Sequence, residues 1–107
     1  EYLLTPTNLV AATNVSGSCL QLTWSAVNGA GGYAIFRSTN NVMPQQELAT
    51  VQGSSYCDST VRKGVPYYYW VNAHYLADAS AASASAIGWL RKNGPLGWLL
   101  LLTDESP

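Results

Sequence analysis

Charge is what this sequence has least of. Only 10% of its 107 residues are Asp, Glu, Lys or Arg, where soluble domains ordinarily carry about a quarter. Five basic and six acidic side chains leave a net charge of −1, so there is no basic field to draw in nucleic acid or an anionic lipid surface, and both are excluded as partners. His74 is the one histidine. No second histidine or spaced carboxylate cluster stands ready to make it a metal ligand, so no metal or other cofactor is implied. The acids Glu1, Glu47, Asp58, Asp78, Asp104 and Glu105 place no pair on one strand face, as glycoside hydrolysis would need. Gly29-Ala30-Gly31-Gly32 links two extended segments with no helix after it, which is not a phosphate loop. Serines are plentiful, but none sits in a nucleophile motif, and His74 is read as a solvent or interface residue rather than a triad member. The chain is therefore read as non-enzymatic, with no catalytic residue.

Long apolar runs are missing too. The longest near the C-terminus, Leu96 through Leu102, has seven residues, against about 20 needed to span a bilayer as a helix. No Arg-Gly-Asp tripeptide occurs, which removes adhesion through that loop. The chain opens on Glu1 without a methionine or leader, and reads as a processed or excised product. The two cysteines, Cys19 and Cys57, suit a cytosolic protein as readily as a secreted one by number alone.

What is present is a β pattern. Hydrophobic residues make up 48% of the chain, enough for one globular core at this length. The segment 19–24, CLQLTW, alternates apolar and polar residues, while 33–37 (YAIFR) and 67–74 (YYYWVNAH) are rich in aromatic and β-branched residues. Turn signals separate them at Ser16-Gly17-Ser18, Asn28-Gly29, Gly31-Gly32, Asn40-Asn41, Gln52-Gly53 and Lys63-Gly64. No window keeps a 3.6-residue apolar period. The Ala/Ser stretch 77–86 has helical composition but no apolar stripe to bury, so it reads as an edge strand.

Five motifs in order resemble the fibronectin type III family. Pro6-x-x-Leu9-x-Ala11 is similar to its first strand, and Leu20-x-Leu22-x-Trp24 to the second with its buried tryptophan. Tyr33-x-Ile35-Phe36-Arg37-Ser38 resembles the third strand, and Ser55-Tyr56-x-Asp58 the fifth. Val61-x-x-Gly64-x-x-Tyr67-x-Tyr69-x-Val71-x-Ala73 resembles the turn and sixth strand. The resemblance implies an all-β, seven-stranded sandwich over 6–86, after an N-terminal extension over 1–5. The apolar segment 87–107 lies outside it, as an extra C-terminal strand or hairpin. Leu20, Leu22, Trp24, Tyr33, Ile35, Tyr56, Tyr67, Tyr69, Val71 and Ala73 then point inward. Tyr67 stands where the family places a tyrosine whose hydroxyl bonds back to nearby backbone.

The same resemblance makes the second and fifth strands antiparallel neighbours. Cys19 and Cys57 would then lie opposite each other, pointing out from one sheet. A disulfide between them contributes about 4 kcal/mol by the chain-entropy model and implies an oxidising, extracellular compartment; the alternative is two unpaired surface thiols. Phe36, Tyr68 and Trp70 fall on the outward face of the third and sixth strands. That aromatic patch is a carbohydrate platform, a contact for further polypeptide, or a surface covered by the domain itself.

The end of the chain bears on that choice. Ile87-Gly88-Trp89-Leu90 is echoed by Leu96-Gly97-Trp98-Leu99 across Asn93-Gly94-Pro95. Leu96, Trp98, Leu99, Leu100, Leu101 and Leu102 form a candidate donor strand, either folded back on its own domain or added to a neighbour's sheet edge. With Phe36, Tyr68 and Trp70 as acceptor, head-to-tail contact between copies of the chain would propagate into a fibre. The first expectation is thus a secreted, self-assembling structural subunit. The second is a non-catalytic accessory module of a secreted or surface protein, serving as a spacer or binding carbohydrate or another surface protein. Asn14-Val15-Ser16 is a glycosylation acceptor in a host with the machinery.

Overall fold

A computed structural model describes residues 3–13 and 17–90. The described chain is strands and turns with no helix. Its strands are β1 (Val10–Thr13), β2 (Leu20–Thr23), β3 (Gly32–Ser38), β4 (Ala49–Val51), β5 (Ser55–Asp58), β6 (Tyr67–Tyr75), β7 (Asp78–Ala79) and β8 (Ala86–Gly88). They form two antiparallel sheets, β1-β2-β5 and β4-β3-β6-β7, with β8 also on β6.

The register explains which side chains become core. Leu20 and Leu22 face Asp58 and Tyr56 across β2–β5, while Tyr33, Ile35 and Arg37 face Ala73, Val71 and Tyr69 across β3–β6. With a side-chain period of two, each set lies on one face. The inner faces close on Leu20, Leu22, Trp24, Tyr33, Ile35, Tyr67, Tyr69, Val71 and Ala73, all buried, with Tyr56 packed against them. All ten expected inward positions are therefore in or against the core. Trp24 meets Tyr33 edge-on at 5.4 Å, and the Tyr33 hydroxyl accepts the Val27 N–H at 2.8 Å. The Tyr67 hydroxyl accepts the Arg62 N–H at 3.0 Å, the back-bond the resemblance implied.

The Ala/Ser stretch is an edge strand in two pieces. From His74↔Ala79 to Tyr69↔Ala86, β6 advances five residues while the outer chain advances seven. The two extra residues bulge between β7 and β8. There Ser80 and Ser83 hydroxyls accept the N–H groups of Ala73 and Val71, at 2.9 and 3.1 Å. In return the N–H groups of Ser80 and Ser83 reach the Ala73 and Val71 carbonyls. Serine oxygen thus replaces missing ladder partners, which is why a small, polar sequence can hold an edge here.

Both expected boundaries cut into the fold. A division after Ala86 falls inside β8, and beyond it Leu90 is buried in the main core. Thr13 Oγ1 donates to the Trp89 carbonyl and the Gly64 N–H to that of Leu90. β8 and the Trp89-Leu90 pair that follows it therefore close the sandwich rather than forming an appended arm. Gly88 is required by close approach, since a Cβ there would stand 2.8 Å from Ala11 Cβ and 3.0 Å from its carbonyl oxygen. At the other end, Leu3 packs against the core and Pro6 is fully buried.

Candidate functional site

Cys19 and Cys57 form the disulfide. Their arrangement differs from the one expected. Cys57 pairs in register with Gln21, so Cys19, just before β2, sits diagonally from it, with 5.7 Å between the Cα atoms. Cys57 is exposed, but Cys19 is fully buried rather than outward-lying.

The second feature at this end of the sandwich is polar, and strand alternation alone does not announce it. Arg37 and Asp58 occupy inward positions at the ends of β3 and β5, and Tyr69 lies opposite Arg37. Asp58 is fully buried. Its carboxylate accepts Arg37 Nη1 at 2.9 Å, the Tyr69 hydroxyl at 2.7 Å, and the hydroxyl and N–H of Thr60 at 2.7 and 3.1 Å. The Arg37 guanidinium also lies over the Tyr67 ring, 5.1 Å from its centroid. Burial acts to raise the Asp58 carboxyl, but the bonds from Tyr69, Thr60 and Arg37 outweigh it and hold the group below its ordinary 3.8. Burial, and then the adjacent carboxylate, push the Tyr69 phenol far above its ordinary value. Both carboxylate oxygens of Asp58 are bonded within this cluster, and the side chain has no exposure to solvent. The cluster ties two sheets together, a structural role. The signal for it was parity: Arg37 continues the inward phase of Tyr33 and Ile35, and a charge in that phase needs a buried counter-charge.

The aromatic face is assembled as expected but is not open. Phe36 pairs with Trp70 and Ser38 with Tyr68 across β3–β6. Phe36 and Trp70 are only 8% and 7% exposed. With Ala34 they form a second apolar cluster, packed by Met43, Tyr68 and Ala82. The expectation of an exposed acceptor or binding face at Phe36, Tyr68 and Trp70 is corrected on this point. Met43, from the β3–β4 connection, and Ala82, from the bulge between β7 and β8, lie against the rings, and only Tyr68 stays half-buried. A carbohydrate could not stack on Trp70 without displacing them. The donor residues Leu96, Trp98, Leu99, Leu100, Leu101 and Leu102, and Asn14-Val15-Ser16, lie outside the described residues.

His74 is half-buried on the outward face, its ring lying across Gly32. Among the described residues no group of three or more His, Cys, Asp or Glu gathers as a metal site. Nor does any described helix have the length and apolarity to cross a membrane.

Two packed antiparallel sheets, a tyrosine bonded back to its own turn and a sealed polar clamp between the sheets define the class as an all-β antiparallel sandwich. No protein-family model matches the chain. It is 37% identical to a solved Fn3-like protein from Clostridium thermocellum, with a TM-score of 0.72 over 83% of this chain and 94% of that one. The chain belongs to the fibronectin type III family. The sixth fibronectin type III domain of a human protein, at 20% identity and a TM-score of 0.64, shares the fold. Two curated proteins also match. An amylopullulanase of Thermoanaerobacterium saccharolyticum is 33% identical over 101 residues, or 92% of this chain. Chitinase C of Streptomyces lividans is 33% identical over 79 residues, or 71% of this chain. The chain spans only 8% and 12% of those two proteins.

Proposed function

We propose that this chain is a non-catalytic accessory module of a secreted carbohydrate-active protein. The observation that carries the reading is the match to an amylopullulanase along 92% of this chain and only 8% of that enzyme, a share too small to hold a glycosidase and its substrate cleft. The buried Asp58, with every oxygen engaged, and the closed aromatic face agree with a module that does no chemistry. The disulfide fits an oxidising, extracellular setting. Self-assembly into a fibre is the weaker reading, because the acceptor aromatics are already packed and its donor strand lies outside the described residues.

Incubation of the chain alone with pullulan and with chitin tests the reading. Reducing ends should stay at the level of a protein-free control, and their steady release would overturn it.

A further inference from the structure

The pole opposite the disulfide carries two exposed apolar residues side by side. Tyr75, the last residue of β6, is 51% exposed and Leu76 is 84% exposed. Tyr75 pairs with Asp78, so Leu76 and Ala77 form a two-residue hairpin loop. Leu76 sits there at φ 55°, a left-handed conformation that glycine or asparagine adopts more cheaply. No packing offsets that strain, since the side chain stands in solvent. The two-residue turn demands that backbone, so what calls for explanation is the residue. An apolar leucine held in solvent, where glycine or asparagine would be less strained, points outward, to a contact with something else.

Tyr75 differs from an ordinary surface tyrosine. Its ring lies against Gly31, where a Cβ would stand 3.1 Å from Cδ1 and 3.8 Å from Cε1. Gly31 has no left-handed φ to explain its glycine; the close approach of the ring does. The Gly31 N–H is fixed on the His74 carbonyl at 2.8 Å, so the ring is supported by a pinned backbone and half its surface remains open. Asp78, exposed and directly across the ladder, shares that face.

We propose that Tyr75 is a stacking platform for a neutral sugar ring, with Asp78 accepting from its hydroxyls and Leu76 as an apolar margin. The C–H face of a pyranose matches the electron-rich face of a held aromatic ring, and a carboxylate is a strong acceptor for vicinal hydroxyls. One ring and one leucine are far too little for a stable protein interface, which buries at least about 1,000 Å². An acid beside the ring disfavours an anionic membrane surface. The choice of carbohydrate as ligand class rests on the accessory-module reading above.

The test is a titration of the ¹⁵N-labelled full chain with maltotriose and, separately, chitotriose, followed by amide shifts. Saturable shifts centred on residues 28–32 and 74–78 are expected with at least one of them, with a Kd on the order of 1 mM. Tyr75→Ala should weaken binding about tenfold or more, by loss of the ring contact. Asp78→Ala, at an exposed position that leaves the core untouched, should weaken it about threefold to tenfold even if Tyr75→Ala disturbs the turn at Gly31. No shifts with either sugar up to about 20 mM, shifts centred elsewhere, or binding indifferent to both substitutions would overturn the proposal. Shifts of the same residues on raising protein concentration without sugar would mark a protein contact and also overturn it. A chain that binds neither sugar yet releases no reducing ends loses the Tyr75 site alone, while the accessory reading stands.

Discussion

Arg37 and Asp58, 21 residues apart in the chain, meet at 2.9 Å across the space between the two sheets. Each enters on an inward strand position, one from the five-stranded sheet and one from the three-stranded sheet. Tyr69 and Thr60 complete the shell around the carboxylate. A buried pair of this kind adds little over a well-packed apolar substitute, but removing one member strands the other.

Asp58→Ala should therefore cost about 3–5 kcal/mol. Asp58→Asn, which keeps the size but loses the charge, should cost less. The pH dependence follows from the depressed carboxyl. Its folded pKa lies below the unfolded 3.8, so its contribution is complete above about pH 4 and is lost as pH falls through the folded value. Urea unfolding between pH 2 and 7 checks this: the wild type should weaken below about pH 4, and the Asp58→Asn chain should lose much of that slope.

The disulfide closes a separation of 38 residues. Cys19→Ser with Cys57→Ser should lower stability by about 4 kcal/mol, and somewhat more because a hydroxyl then replaces sulfur at the fully buried position 19, while the sandwich persists on its main apolar cluster. Thermal melts with and without reductant should show the wild type shifting toward the double variant, and the double variant not moving.

Gly88→Ala pushes a methyl into Ala11, against its carbonyl as well as its side chain. Backbone cannot swing aside as a flexible side-chain tip can, so β1 and β8 must separate locally. The expected loss is about 1–3 kcal/mol, read by chemical denaturation with an unchanged far-ultraviolet spectrum.

Leu76→Asn should move the other way. Asparagine tolerates φ 55°, and at 84% exposure leucine gives up almost no burial. A gain of about 0.5–1 kcal/mol is expected. A loss would mean that Leu76 is held by contacts its exposure does not reveal.

Much of this fold was legible because its strands obey a period of two. Leu20-x-Leu22-x-Trp24 and Tyr67-x-Tyr69-x-Val71-x-Ala73 mark their buried faces directly, and Tyr67 its back-bond. The polar clamp was half legible: Arg37 and Asp58 each lie in an inward phase, but only the pairing of the two sheets brings them together. The closed aromatic face was not legible. Alternation places Phe36 and Trp70 outward, and nothing local says that Met43 and the Ala82 bulge will fold over them, because those segments have no period of their own. The bulge likewise depends on Ser80 and Ser83 replacing ladder carbonyls, a role that composition cannot distinguish from solvation. Tyr75 falls just beyond the aromatic run 67–74, and its support by Gly31 exists only in three dimensions.

Sedimentation velocity of the full chain, at low and high salt and over a wide concentration range, tests the central claim most directly. A chain truncated after Lys92 serves as the comparison. A self-contained accessory module should sediment as a single monomeric species in both forms and at every salt. Large, salt-resistant polymers from the full chain, absent from the truncation, would contradict it and make the leucine-rich segment an assembly strand.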